Sequence, residues 1–476
     1  MNPDQRQILK TILKTTDLTL IGKALPHCNE QDISALASLL KRYHTTEMTY
    51  KELQEASRGI SRKIGQAKKQ GASTDALMTE MQAASAELKA VTNELQHLED
   101  KLSDYLKNAA KRPGDAKPTS FLETERNYPD PDFDSDITIT LLKDETKEWN
   151  QYVNHNPAAS VYHLADWRDI IDKSFKHTSF YFYAHDSNMK IKGILPLVRL
   201  KSRLFGDFMV SMPYFNYGGA IADHPQIEEK LVLHANKFAK ELNLNHIEYR
   251  DDIAKPTAPE RTDKVNMILP LPSDQDALWQ SFSPKLRSQI KRPQRENTQV
   301  NHGSLDLLDE FYTIFARNMR DLGTPVYGKN FFRHILLAFP AQSSILTVRL
   351  DNRPVAGAFL IGYKDRLEIP WASTIRNVNH LSINMLMYWE VLCFAIKNNY
   401  QYFDFGRSSV DSGTYKFKAQ WGAHPKQLYW HYWLNNRDMP SLNPSNPKYK
   451  LLINIWKKLP VWVTRLAGPA IVKNLP

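Results

Sequence analysis

The sequence predicts an α+β protein in which an antiparallel α-helical coiled-coil hairpin is followed by two tandem copies of one α/β unit. Three observations predict it. An apolar seam with coiled-coil spacing runs through the first hundred or so residues. A stretch rich in Pro and Asp, without any period, comes next. The order hairpin, helix, strand then occurs twice.

The seam is the clearest signal. Leu77, Met81, Ala84, Leu88, Val91, Leu95, Leu98, Leu102 and Tyr105 recur at alternating spacings of four and three, the a/d pattern of a coiled-coil helix. Upstream, Ile33, Leu36, Leu40 and Tyr43, then Leu53, Ile60, Ile64 and Ala67, form a second, less regular seam. Gly71 can stop the first helix, and Ser73, Thr74 or Asp75 can cap the next. The result is a hairpin whose arms, at about 35 residues each, are roughly 50 Å long.

The tip of that hairpin reads "SRKIGQAKKQGAS". Arg62, Gly65 and Ala67 have the R-x-x-G-x-A spacing with which acetyltransferases hold the pyrophosphate of coenzyme A. A pyrophosphate loop needs free backbone amides at a strand-to-helix junction. Here the three residues fall in the last turns of a long helix, whose amides are already bonded. The tip's charge points elsewhere: Arg58, Arg62, Lys63, Lys68 and Lys69 occur with no acid between them, a surface suited to RNA phosphates. The alternative is a solvated helix end.

The rest divides by composition. The helical domain is read at 1–110, an extended linker at 111–135, one α/β domain at 136–272, a second at 273–435 and a basic amphipathic tail at 436–476. In the first α/β domain, "DITITLL" reads as a strand and residues 149–153 and 164–172 as helices. "SFYFYAHDSNMKIKGILPLVRL" reads as a hairpin turning near Asp186, followed by the strand "FMVSM", a helix over 226–242 and the strand "HIEYRD". In the second, helices fall near 305–322 and 331–337. "SSILTVRLDNRPVAGAFLIGYKDRLEIPWAST" is again a hairpin, with a helix over 381–398 and the strand "YQYFDFG" after it.

Net charge is +10, which favours an anionic partner, whether nucleic acid, phosphorylated substrate or membrane surface. The two cysteines, Cys28 and Cys393, lie far apart, and no C-x-x-C or H-E-x-x-H occurs, so neither a zinc site nor a disulfide framework is expected. No apolar leader and no run of about 18 apolar residues is present, which reads as a cytoplasmic protein.

Two resemblances sharpen these expectations. The segment from about 32 to 112, including "SRKIGQAKKQGA", resembles the tRNA-binding arm of seryl-tRNA synthetases, which grips the long variable loop of serine tRNA. The tandem units, "SPKLRSQIKR" and "DFGRSSVDSGTYKFKAQWGA" resemble the FemAB-like transferases, two GNAT-like (acyl-CoA N-acyltransferase-like) domains in one chain. The terminal motif looks most like the branch associated with exosortase and exopolysaccharide systems. The resemblance implies transfer of an aminoacyl group, plausibly seryl, from aminoacyl-tRNA to an amine of an anionic or nucleotide-linked cell-envelope precursor, with no cofactor. The alternatives are an acyl-CoA donor acylating a sugar or peptide amine, and a non-catalytic tRNA-binding scaffold.

The resemblance also names residues. A Phe-Lys pair at the family's reaction centre matches Phe417 and Lys418, and a fixed ammonium there would stabilise an oxyanion. Arg287 and Lys291, four apart on a helix beginning at Pro284, could clamp a diphosphate. Tyr214 and Asn216, in "SMPYFNYGGAIAD", match a loop lining the acceptor groove. Asp404, Arg407 and Tyr415 complete the expected substrate-binding set, Asp404 and Arg407 flanking Gly406 at a strand's end. No Ser-His-Asp spacing or reactive-Cys context is visible, so direct attack on the donor ester is expected. The tail, with Leu452, Ile455, Trp456 and Leu459 on one face and Lys450, Lys457 and Lys458 elsewhere, has the composition of a helix lying at a membrane's cytoplasmic face. Packing onto the transferase body is the alternative.

Overall fold

A computed structural model describes residues 30–70, 73–109, 128, 136–202, 205–255, 258–435, 439 and 447–475. The chain forms two compact units, Met1–Lys117 and Pro118–Pro476.

In the first unit, α1 (Glu30–Lys69) and α2 (Asp75–Ala109) pack side by side. Arg42 reaches Glu94 at 3.4 Å and Ser57 Oγ lies 3.5 Å from Met81 Sδ. One number rises as the other falls, so the helices are antiparallel. Ser73 Oγ accepts from the amide of Asp75 at 3.4 Å, a cap at the start of α2. Leu40, Ile60 and Leu98 are buried in the seam, while Arg58, Arg62 and Lys63 are exposed. Arg62, Gly65 and Ala67 lie within the continuous helix α1, which excludes a pyrophosphate loop there. Gly71 and most of the linker at 111–135 lie outside the described residues, as do the side chains of Lys68 and Lys69.

The second unit holds an eight-stranded and a seven-stranded sheet. The first half runs β1 (Thr138–Leu141), α3 (Thr146–His155), α4 (Asp166–Phe175), β2 (Thr178–His185), β3 (Ile191–Ser202), β4 (Gly206–Val210), β5 (Ile221–Ala222), α5 (Pro225–Glu241) and β6 (His246–Asp251). After β7 (Glu260–Arg261), β8 (Lys264–Pro270), α6 (Gln275–Ser281) and α7 (Pro284–Lys291), the order recurs. It runs β9 (Thr298–Gly303), α8 (Leu308–Leu322), α9 (Lys329–Ala338), β10 (Ser343–Leu350), β11 (Arg353–Tyr363), β12 (Arg366–Thr374), α10 (Ile383–Lys397) and β13 (Tyr402–Ser409). The repeat is therefore larger than hairpin, helix and strand: each copy opens with a strand and two helices. Matching asparagines mark the equivalence. Asn243 (φ 53°) and Asn399 (φ 61°) sit just beyond the ends of α5 and α10, in the left-handed conformation that Asn tolerates.

The copies exchange strands. β8, which follows the first copy, pairs with β13 of the second, and β15 (Tyr429–Leu434) pairs with β6 of the first. A boundary at 272/273 thus separates β8 from the sheet it belongs to. One aromatic core joins the halves: Tyr162 stacks on Phe215 at 4.1 Å, Phe215 meets Trp371 at 5.9 Å, and Phe332 meets Trp371 at 5.0 Å. After α11 (Gly413–Ala419) and β14 (His424–Gln427), the chain ends in α12 (Pro447–Lys458) and α13 (Val461–Val472), both packed on α8.

Candidate active site

The site begins where two strands part. β12 and β13 are parallel and share only three rungs, the last pairing Glu368 with Asp404. In a parallel ladder, facing residues project to the same side, so two carboxyls meet at the point where the sheet opens. Gly406 (φ 74°) lets β13 turn away there.

Both carboxyls are buried. Asp404 accepts from Asn266 Nδ2 (2.6 Å), Tyr217 Oη (3.3 Å) and the Gly406 amide (2.7 Å), and Arg366 stands 3.9 Å away. Glu368 accepts from Tyr162 Oη at 2.7 Å. Asn216 donates to Asn266 at 3.3 Å and so braces the same network. Glu368, Tyr162, Tyr217 and Arg366 line a cavity of about 290 Å3, with Lys426 and Arg250 also on its wall.

Burial and the neighbouring Asp404 push Glu368 up to about 8. Burial raises Asp404 as well, against the pull of Arg366 and the Gly406 amide. At neutral pH the pair therefore retains a proton. A carboxyl titrating near 8 on a cavity wall can take a proton from an attacking group and return it to a leaving group.

Lys418 lies behind this pair on α11. Its ammonium donates to the carbonyl oxygens of Gly406 and Arg407, each at 2.9 Å. Burial lowers it to about 8, against the opposing pull of Asp404. Those bonds hold the turn of β13 at Gly406, so Lys418 positions Asp404 and the strand end. Phe417, its neighbour, points into the second-copy core against Tyr388 (5.0 Å) and Trp421 (6.4 Å), and Tyr415 is buried in the same core.

The remaining expected residues are more scattered. Arg407 is exposed and lies over the Trp430 ring at 5.2 Å. Arg287 and Lys291 sit on α7, which packs on α10; Lys291 lies over Trp279 at 5.5 Å, and neither residue lines the cavity. Tyr214 (φ 77°) donates to the carbonyl of Lys473 at 2.8 Å, so it anchors the C-terminus instead of lining a groove. The structure thus brings Asp404, Asn216 and Lys418 together. It adds Glu368, Tyr162, Arg366 and Asn266, which sequence reasoning missed. An acid inside the apolar run "RLEIPW", one strand before "DFG", was the available signal.

The first copy has the same opening and closes it. Its last parallel rung pairs Val210 with Glu248, where the second copy has Glu368 and Asp404. Arg250 occupies the place of Gly406. Its guanidinium bonds Glu248 (2.9 Å), the Phe215 carbonyl (2.5 Å) and the Met212 carbonyl (3.4 Å), bridging β6 to the chain leaving β4. Although burial opposes it, Arg250 holds Glu248 low. A permanently charged, bonded pair offers no group that titrates near neutrality.

Residues 284–419 match the family model described as an acetyltransferase (GNAT) domain. The protein is an acyltransferase. Residues 9–109 match the model of the seryl-tRNA synthetase N-terminal domain. Among solved structures, the chain is similar to FemX at 13% identity, covering 66% of this chain and 100% of that one, with a TM-score of 0.49. It is similar to L-PGS from Bacillus licheniformis at 14% identity, covering 73% and 99%, with a TM-score of 0.42. A tandem GNAT protein from the clavulanic acid biosynthesis pathway shares 10% identity over 64% of this chain and 100% of its own, at 0.43. With scores below 0.5, these likenesses fix neither fold nor reaction. No curated protein matches the chain. Among the described residues no cluster could hold a metal ion, and no helix is long and apolar enough to cross a membrane.

Proposed function

We propose that the protein transfers an aminoacyl group from aminoacyl-tRNA to an amine of a cell-envelope or exopolysaccharide precursor. One observation carries the reading: a segment matching the seryl-tRNA synthetase N-terminal domain shares a chain with an acetyltransferase domain. Serine tRNA is the donor this arm would prefer, by the shape of its long variable arm lying along the hairpin, while Arg58, Arg62 and Lys63 hold phosphates of any bound tRNA.

The chemistry follows from the cavity. In the fraction of molecules in which Glu368 is ionised, a fraction that grows as the pH approaches about 8, the acceptor amine loses a proton to Glu368 as its nitrogen attacks the ester carbonyl of the donor. The C–N bond forms, and the tetrahedral intermediate carries an oxyanion. The C–O bond then breaks, and the proton on Glu368 passes to the departing ribose hydroxyl. Tyr162 orients Glu368, and Arg366 lies near Asp404 to offset negative charge. The wall carries Arg250, Lys364, Arg366 and Lys426 against Asp252, Asp365 and Glu368, with Lys426 paired to Asp252 at 2.9 Å, so a small positive excess is left to face an anionic acceptor. An acyl-CoA donor is the second reading, favoured by the acetyltransferase match.

Incubation with tritiated seryl-tRNA and glycinamide, a surrogate amine, tests the choice. Protein-dependent seryl-glycinamide that Glu368→Gln abolishes is the expected product. Acetylation of the amine by acetyl-CoA, with no discharge of seryl-tRNA, would establish the second reading.

A further inference from the structure

We propose that the C-terminal helices seat the protein on an anionic lipid bilayer. One side of these helices is committed to the body. Thr464, Gly468 and Val472, successive turns of α13, are buried, and a Cβ added at Gly468 would meet the Val326 amide nitrogen at 2.8 Å. Arg320 donates to the Leu459 carbonyl at 2.9 Å, and Tyr214 and His177 hold the Lys473 carbonyl. Helix α13 is therefore fixed in orientation.

Its opposite side is apolar and open. Trp462 and Leu466, one turn apart, are 70% and 79% exposed, and Ile455 of α12 is 50% exposed. A helix held this firmly has no packing reason to present a Trp and a Leu to water. Trp456, by contrast, is half-buried, so of the tail's two tryptophans only Trp462 is presented.

Charge selects the occupant. From Met439 to Pro476 the sequence contains Lys448, Lys450, Lys457, Lys458, Arg465 and Lys473 and neither Asp nor Glu. Lys457, Lys458 and Arg465 are exposed, Arg465 while lying over the Tyr312 ring at 5.1 Å. An exposed Trp and Leu flanked by the tail's cations, with neighbouring Asp309 of α8 paired to Lys329 at 2.6 Å, complements a bilayer with negative headgroups: the indole ring and the Leu side chain enter the interface and the cationic groups stay among the phosphates. Each helix has 12 residues, too short to span, so the contact lies in the plane of the surface.

Sedimentation of the full chain with phosphatidylcholine vesicles, with and without phosphatidylglycerol, tests this. Binding is expected to the mixed vesicles and to weaken with salt. Trp462→Ser combined with Leu466→Ser lowers the partition coefficient at least about tenfold with an unchanged melting temperature, because both side chains are exposed. Lys457→Gln with Lys458→Gln weakens binding and flattens its salt dependence, whereas Arg62→Gln with Lys63→Gln leaves it unchanged. No binding to mixed vesicles at low salt, full binding by the double serine variant, or loss of binding in the arm variant would each overturn the proposal.

Discussion

Replacing Glu368 by Gln tests the buried pair without any substrate. Gln keeps the volume and still accepts the Tyr162 hydroxyl bond, but it cannot ionise. Folding raises the Glu368 carboxyl from an ordinary 4.5 to about 8, with burial as the largest cause. A raised carboxyl contributes stability that is fully present below pH 4.5 and is lost as the pH climbs through about 8. Between pH 5 and 8 the loss reaches on the order of 4 kcal/mol, about 6 °C in melting temperature for a unit of this size. Lys418, itself lowered to about 8, stays charged over most of that window and adds little to the slope. Thermal melts at half-unit pH steps should therefore show Glu368→Gln gaining on the parent protein as pH rises, and matching it or falling behind at pH 5. Parallel profiles would show that Glu368 ionises freely, which would remove the basis for its role as proton acceptor.

Three further outcomes follow from the same geometry. Lys418→Met removes the donor to the Gly406 and Arg407 carbonyls and frees the strand end that carries Asp404, so turnover should fall by up to about a hundredfold through misplacement of the carboxyl pair. Its melting temperature should move little, because lost bonds and relief of a buried charge offset each other. Arg250→Ala strands Glu248 and two carbonyls in the first copy and should cost about 3–5 kcal/mol in denaturant titrations. Changing Arg62, Lys63, Lys68 and Lys69 together to Gln should weaken tRNA binding and flatten its salt dependence by up to about 0.7–0.9 log units per lost phosphate contact. Helicity should be unchanged, since Arg62 and Lys63 lie outside the seam.

The hairpin and both copies were legible because their periods are local. The a/d seam needs only its own helix, and the polar turn "LNLN" or "NNYQ" between an apolar helix and an alternating strand needs only a dozen residues. The exchange of β8 and β15 was not legible, because "KVNMILP" has the apolar alternation of any sheet strand and nothing local names its partner. The site divides along the same line. Asp404 stood out as an acid in an apolar strand before a glycine. Glu368 offered only the weaker signal of an acid among the apolar residues of a strand, and its partner Tyr162 lies 206 residues away in sequence. Tyr214 was misplaced for a backbone reason: its left-handed φ belongs to a chain segment that holds the C-terminus. Phe417 and Lys418 are adjacent in sequence, but adjacent residues on a helix diverge. One therefore entered the core and the other the carboxylate network.

The most direct test of the proposed donor is capture of RNA from a complete, aminoacylated tRNA pool. The purified full chain is passed with the pool over a filter, and the retained RNA is sequenced. The prediction is strong enrichment of serine tRNAs, abolished by the four-residue arm variant. Retention of all tRNAs in proportion to their abundance, or of none, would contradict the claim that this acyltransferase draws on seryl-tRNA.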